Sequence, residues 1–317
     1  MDKELHVVFG AGQVGFPLAQ QLLAQGKRVR VVKRSQGGVP AGAETMPGDA
    51  TDVAFCHRAC AGASAVYHCM NPAYLAKEWA SVLPRYMDNL IAAAGGAGAR
   101  LVVLDNLYML GRTGGKPMNE DTPSAPCSKK GEIRARVAER LFDAHRQGKV
   151  SAVCGRAADF YGPRGTVTLF GDYFWKPAMA GKAVMSPANL DVIHTYHYIP
   201  DVAHGLATLG CASDEEIGGQ VLWMLPCQPA VTTREMAKRF EPYLGQAIQL
   251  KTMPGWLLKT LSVFVPMMRE LDEMTYQWDE PFIVDDSQFR AKFGIAPVTE
   301  SEAAKATVEW ARKTYSK

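Results

Sequence analysis

Leu5-His6-Val7-Val8-Phe9-Gly10-Ala11-Gly12-Gln13-Val14-Gly15 sets a short apolar run directly before a Gly-x-Gly-x-x-Gly spacing. The run is too short for a helix and reads as a buried strand. Each glycine then has a physical task. Gly10 permits a tight turn, Gly12 lets the backbone approach a phosphate, and Gly15 lets the next helix pack close to the strand. Gln13 to Gln25 reads as that helix, with Leu18, Leu22 and Leu23 on one face and Gly26 at its end. Its N-terminus offers free N–H groups and a positive dipole end. Gly10, Gly12, Gln13, Val14 and Gly15 therefore make a pyrophosphate cradle.

Outward from this turn, apolar runs keep alternating with helical stretches. Val29 to Val32, Ala65 to His68 and Leu101 to Leu104 read as strands. Lys130 to Gln147 reads as a helix, Gly148 follows it, and Val150 to Cys154 reads as the next strand. Alternation of this kind implies an α/β fold, a doubly wound parallel sheet of the Rossmann type. Residues 1–163 are expected to form the dinucleotide-binding domain, with one strand returning near 220–225. Beyond residue 164 the rhythm is lost and aromatics thicken, at Phe170, Tyr173, Phe174 and Trp175. Residues 164–317 are expected to be mainly a smaller C-terminal substrate-binding cap. Thr233 to Tyr243, Glu302 to Thr314 and one or two helices across Trp256 to Tyr276 belong to it.

The second strand ends in Lys33-Arg34-Ser35. Arg34 lies near the place where an NAD site carries an acid for the ribose 2′-hydroxyl. A carboxylate there would repel a 2′-phosphate, whereas a guanidinium binds it bidentately. The expectation is NADP(H) over NAD(H), held by Arg34 and Ser35. In Gly48-Asp49-Ala50-Thr51-Asp52, Asp49 is placed to accept from the adenine amino group, with Ala50 beside it. Asp52 reads as the N-cap of the next helix. The fourth strand ends at Cys69-Met70-Asn71-Pro72, which adds Asn71 to the cofactor side.

Composition narrows the rest. The chain has 317 residues, 47% hydrophobic and 21% charged, so a disordered chain and a small disulfide scaffold are excluded. The net charge is +3 with no basic stripe, which argues against nucleic acid. Seven cysteines with no CxxC pair read as reduced thiols, with no metal site. The N-terminus lacks an apolar leader, and no stretch is long enough to span a bilayer. A cytoplasmic protein with a small-molecule substrate, and a possible homodimer, is expected.

These segments together resemble the extended branch of the short-chain dehydrogenase/reductase superfamily, the NAD-dependent epimerase/dehydratase type. Gly10 to Gly15 matches its glycine motif, and Gly48 to Asp52 its adenine-side motif. Gly155-Arg156-Ala157-Ala158-Asp159-Phe160-Tyr161-Gly162-Pro163 resembles its R-P-x-N-x-Y-G-P stretch, and Tyr198-Ile199-Pro200-Asp201-Val202-Ala203 its V-x-D-V-A segment. The family's catalytic Tyr-x-x-x-Lys falls on Gly131 and Ala135, so both functional groups are missing. Its Ser/Thr falls on Asn106. The resemblance implies the fold and the cofactor without the usual proton-transfer pair.

Replacement chemistry must come from the carboxyl ends of the strands, where open α/β sheets bind substrate. Tyr108 is the expected proton donor, Asn106 an oxyanion-type donor and Lys130 the cation that lowers the tyrosine's pKa. Arg134 and Arg136 face different sides of the helix, so one of them could approach the site. Tyr74, Asp159, Phe174, His194 and Met268 are expected to contact substrate, with His194 and His197 on one face of a strand-like run. The expected function is an NADP(H)-dependent oxidoreductase reducing a carbonyl or conjugated alkene of a small, largely apolar substrate. The alternatives are a non-catalytic NADP(H) sensor and a sugar epimerase or dehydratase.

Overall fold

The computed structural model describes residues 4–187, 189–253 and 266–315, with residues 266–268 described by backbone only. The first ten elements alternate strictly enough to be read in order. They are β1 (Leu5–Phe9), α1 (Gly15–Ala24), β2 (Arg28–Lys33), β3 (Glu44–Pro47), α2 (Val53–Cys60), β4 (Ala63–His68), α3 (Ala76–Gly96), β5 (Arg100–Asp105), α4 (Lys129–Arg146) and β6 (Ala152–Arg156). After them come β7 (Asp159–Tyr161), α5 (Asp172–Met179), β8 (Val184–Ser186), β9 (Ile193–His194), β10 (Tyr196–Tyr198), α6 (Ile199–Cys211), α7 (Asp214–Ile217) and β11 (Leu222–Met224).

Seven parallel strands form the central sheet in the order β11-β6-β5-β4-β1-β2-β3. Its β1 is apolar throughout because both of its faces are covered. Val7 and Phe9 join the layer packed by α2, α3 and α4, while Val8 joins the layer packed by α1 and α6. All three are fully buried. Each such side chain contributes about 1.5–3 kcal/mol. The strand expected over Val150–Cys154 runs instead over Ala152–Arg156, because its ladder pairs Leu101 with Ala152 and Asp105 with Arg156. The returning strand is β11, which lies at the sheet edge parallel to β6.

Asp52 caps α2 as expected, its Oδ1 accepting from Ala54 N at 2.9 Å and Phe55 N at 3.1 Å. Of the helices expected across Trp256 to Tyr276, residues 254–265 lie outside the described residues, and Pro266–Asp272 is helical. The remainder builds a cap with its own core. There α5, α8 (Thr233–Leu244) and the helix Glu300–Tyr315 pack together. Phe174 is 2% exposed, its ring centre 5.0 Å from both Phe170 and Trp175 and 6.0 Å from Phe240. The expectation that Phe174 touches substrate is corrected by this cluster, since rings pack on every side that a ligand would need. Among the described residues no helix is long and apolar enough to cross a membrane.

Candidate functional site

The strand order reverses between β1 and β4, and the glycine turn lies at that switch point. Gly10 has φ +100°, and a Cβ there would stand 3.0 Å from the Cys69 carbonyl oxygen. A Cβ on Gly15 would stand 1.9 Å from the Gly10 carbonyl oxygen, so the helix can approach only because the side chain is absent. Nothing lies within 4 Å of the corresponding point on Gly12. No side chain caps α1, whose cap position is Val14. The Gln13 Oε1 is buried beside it without a hydrogen-bond partner. An open glycine and uncapped N–H groups fit the diphosphate of a nicotinamide dinucleotide.

Arg34 and Ser35 are exposed at the end of β2. Asp49 is exposed after β3, and the N–H of Thr51 holds its carboxyl below the usual range at 2.9 Å, with Arg34 adding to the effect. Ala50 is buried, and its carbonyl accepts from Asn89 Nδ2 at 2.9 Å.

Beyond the carboxyl end of β5 the structure brings two phenols together. Tyr108 follows β5 in a 3-10 turn (Tyr108–Leu110), and its amide donates to Asn106 Oδ1 at 3.2 Å. The Tyr74 and Tyr108 hydroxyls stand 3.3 Å apart. Trp79 stacks on Tyr108 at 6.0 Å and meets Tyr74 edge-on at 5.4 Å. Burial pushes both phenols well above the ordinary tyrosine value; in Tyr108 the Asp159 carboxylate adds to the rise.

Lys130 departs from its expected role. Its side chain is fully buried, and its Nζ donates to the Glu270 carboxylate, to Glu273 Oε1 at 2.7 Å and to the Glu270 carbonyl at 3.1 Å. The Nζ also lies 4.6 Å above the Tyr74 ring. With two carboxylates neutralising it, Lys130 is not the cation that lowers the Tyr108 pKa, which in fact rises. The second basic residue on this face, Arg134, lies closer to the chemistry. It donates to Asn71 Oδ1 at 2.8 Å, lies 3.5 Å from Asp105 and covers the Trp79 ring at 4.6 Å. Arg136 points to solvent and pairs with Glu132. Lys130 and Arg134 are four residues apart on the same helix, each one position before the Gly131 and Ala135 onto which the resemblance places the family's Tyr-x-x-x-Lys.

His194 and His197 do not share a face: three positions apart they would fall on opposite faces of any strand, and the run also breaks at Thr195. His194 belongs to β9, paired with β12 (Val231–Thr232), while His197 belongs to β10, paired with β7. His197 Nδ1 accepts from Ala158 N at 3.0 Å and its Nε2 donates to the Leu225 carbonyl at 3.1 Å. Burial lowers its pKa to about 4, so it is a neutral structural ring. His194 Nε2 instead stands 3.0 Å from Asp159 Oδ2. Tyr276 closes this side, its hydroxyl donating to the Tyr108 carbonyl at 3.3 Å. The Met268 side chain lies outside the described residues.

Glu270 and Glu273 escape sequence reasoning as site residues. Lys130 meets its carboxylates across about 140 positions of sequence, which no local spacing encodes. Arg134 is separable from Arg136 only by knowing which face of α4 is buried.

The sequence profile of the NAD dependent epimerase/dehydratase family matches residues 6–221. No curated protein matches the chain. Among solved structures, UDP-glucose 4-epimerase of Thermotoga maritima, crystallised with UDP-glucose, superposes with TM-score 0.76 at 18% identity, covering 98% of this chain and 99% of that one. The Thermus thermophilus UDP-glucose 4-epimerase in complex with NAD gives 0.74 at 19%, covering 97% and 99%. The Bacillus cereus UDP-glucuronic acid 4-epimerase with NAD gives 0.75 at 15%, covering 98% of each.

Proposed function

Since this chain belongs to the NAD dependent epimerase/dehydratase family, we propose that it moves a hydride between a nicotinamide dinucleotide and a carbon bearing a hydroxyl or carbonyl group. The supporting observation is the pairing of an open glycine cradle with two joined phenols across the crevice. When bound, the cofactor supplies the hydride acceptor or donor. Gly10, Gly12 and Gly15 with the α1 N-terminus hold its phosphates. Tyr108, aligned by the Asn106 turn and the Trp79 ring, faces the substrate oxygen and donates a hydrogen bond as charge develops there. Tyr74 accepts from or donates to Tyr108 and completes a short relay. Arg34 selects the 2′-phosphate of NADP(H).

Two outcomes share this step. Family membership and the UDP-sugar neighbours support epimerase or dehydratase chemistry, in which the hydride returns to the substrate and the cofactor is unchanged after each turnover. The aromatic walls around Tyr108, and Asp159 where the family pattern has Asn, support net reduction of an uncharged carbonyl or conjugated alkene. Purified protein assayed with a carbonyl, enone and nucleotide-sugar panel separates the two. Net oxidation of the reduced cofactor identifies a reductase, and product isomers with no net cofactor change identify an epimerase. Failure to bind any nicotinamide dinucleotide contradicts both.

A further inference from the structure

We propose that Asp159 and His194 share one proton, which Asp159 delivers to the substrate oxygen. The role in delivery rests on the hydride-transfer reading above; the existence of the shared proton does not.

Donors and acceptors around the ring require that proton. His194 Nδ1 lies 3.3 Å from the Gln277 carbonyl, which can only accept, so Nδ1 carries a hydrogen. In a neutral ring Nε2 is then a bare acceptor. It stands 3.0 Å from Asp159 Oδ2, a second acceptor when the carboxyl is ionised. Both atoms are closed off from water, and neither has an in-line hydrogen-bond partner. Two lone pairs at that distance repel in a water-excluded site. A proton between them converts the contact into an attraction, as imidazolium and carboxylate or as imidazole and carboxylic acid. His197 shows the contrast, since its two ring nitrogens find one donor and one acceptor and need no extra proton.

The surroundings hold the pair in place. Phe282 stacks on the His194 ring at 4.9 Å, Trp278 stacks at 6.0 Å, and Tyr196 lies tilted at 4.9 Å. The titratable groups that feel the Asp159 charge are the phenols of Tyr74, Tyr108, Tyr196 and Tyr276 and the ring of His197. None of these is a cation at neutral pH. The Asp159 side chain is 22% exposed and that of His194 1%, so Asp159 is the member open to the crevice. His194 is the positioning residue that recharges it.

In the reductive direction a hydride from the reduced nicotinamide forms the new C–H bond. The carbonyl π pair moves onto oxygen, the Asp159 carboxyl turns its protonated oxygen from His194 into the crevice, and the substrate oxygen takes that proton. The pair is left as carboxylate and Nδ1–H imidazole, and water restores its proton through Asp159. Oxidation runs the same steps backwards.

Histidine-selective 15N labelling of the full chain reads the rings without any substrate. The chain has seven histidines, and the signals lost in His194→Gln are those of His194. At neutral pH the expected result is a protonated Nδ1 and an Nε2 shifted away from a bare imine nitrogen. Asp159→Asn should move Nε2 toward the bare position. A single proton on Nε2 with Nδ1 bare overturns the shared proton, as does an Nε2 signal identical in parent and Asp159→Asn. On a substrate that the parent turns over, Asp159→Asn should lower kcat by about 10²-fold with cofactor affinity unchanged. Full kcat in that variant overturns the delivery role even if the proton is seen. A parent that binds no nicotinamide dinucleotide refutes the hydride reading alone, and the 15N result still decides the proton.

Discussion

The Tyr108 carbonyl oxygen would stand 2.5 Å from any Cβ placed on Gly131, and the Pro126 Cβ 3.1 Å from it. The space beside Gly131, onto which the resemblance places the family's catalytic tyrosine, is therefore filled by the backbone of the loop that presents Tyr108.

Gly131→Ala should consequently destabilise the protein although alanine favours helices. Overpacking costs about 1–3 kcal/mol, and the helix-propensity gain of about 1 kcal/mol offsets only part of it. The thermal midpoint should fall. Gly131→Tyr with Ala135→Lys, which recreates the family motif, should fall further and add no activity. An unchanged midpoint in Gly131→Ala would show that the Tyr108 loop yields freely.

The proposed cofactor choice depends on one exposed guanidinium, that of Arg34. Arg34→Ala should weaken NADP(H) binding by about 1.5–3 kcal/mol, roughly 10- to 150-fold, and leave NAD(H) nearly unaffected. Calorimetric titration of parent and variant with both cofactors checks this. Equal affinities in the parent would remove the basis for the preference.

Stability should fall as pH drops from about 6.5 toward 4. Burial lowers His6 to about 4, His68 to about 3 and His197 to about 4. Their folded values lie below the unfolded value, so each contributes stability above pH 6.5 that is lost as pH falls. The slope is about 1.4 kcal/mol per pH unit per histidine. Asp201 works the other way, since burial raises it to about 6 and its stabilisation is lost as pH rises from about 4 to 6. Burial raises Glu120 and Asp286 as well, in the same direction as Asp201, but the carboxyls lose most of their effect below this window, so the three histidine rings dominate between pH 5 and 7 and the urea midpoint should be lower at pH 5 than at pH 7. A flat profile would mean that the three rings are not buried as neutral groups.

Much of the sheet is legible in the sequence because its signals are local. The β1 apolar run, the three glycines and the Asp52 cap each depend on neighbours within a few positions. The parallel sheet follows from alternation alone. The cap is legible only as composition. Phe174 reads as pocket lining because an aromatic in a cap core and one facing a ligand have the same sequence. His194 and His197 read alike for a similar reason, since the break at Thr195 is imposed by partners at Phe282 and Val284 far along the chain. Lys130 reads as a free cation because Glu270 and Glu273 come from a helix and its C-terminal flank that sequence spacing cannot dock.

Tyr108→Phe tests the proposed chemistry most directly. The variant keeps the Trp79 stack and the Asn106 turn and removes only the hydroxyl. Cofactor affinity, followed by fluorescence titration, should be nearly unchanged. Turnover of any substrate that the parent processes, followed by cofactor absorbance or product isomer ratio, should fall by about 10²–10⁴-fold. Full turnover in Tyr108→Phe, with affinity intact, would contradict the assignment of Tyr108 as the group that meets the substrate oxygen.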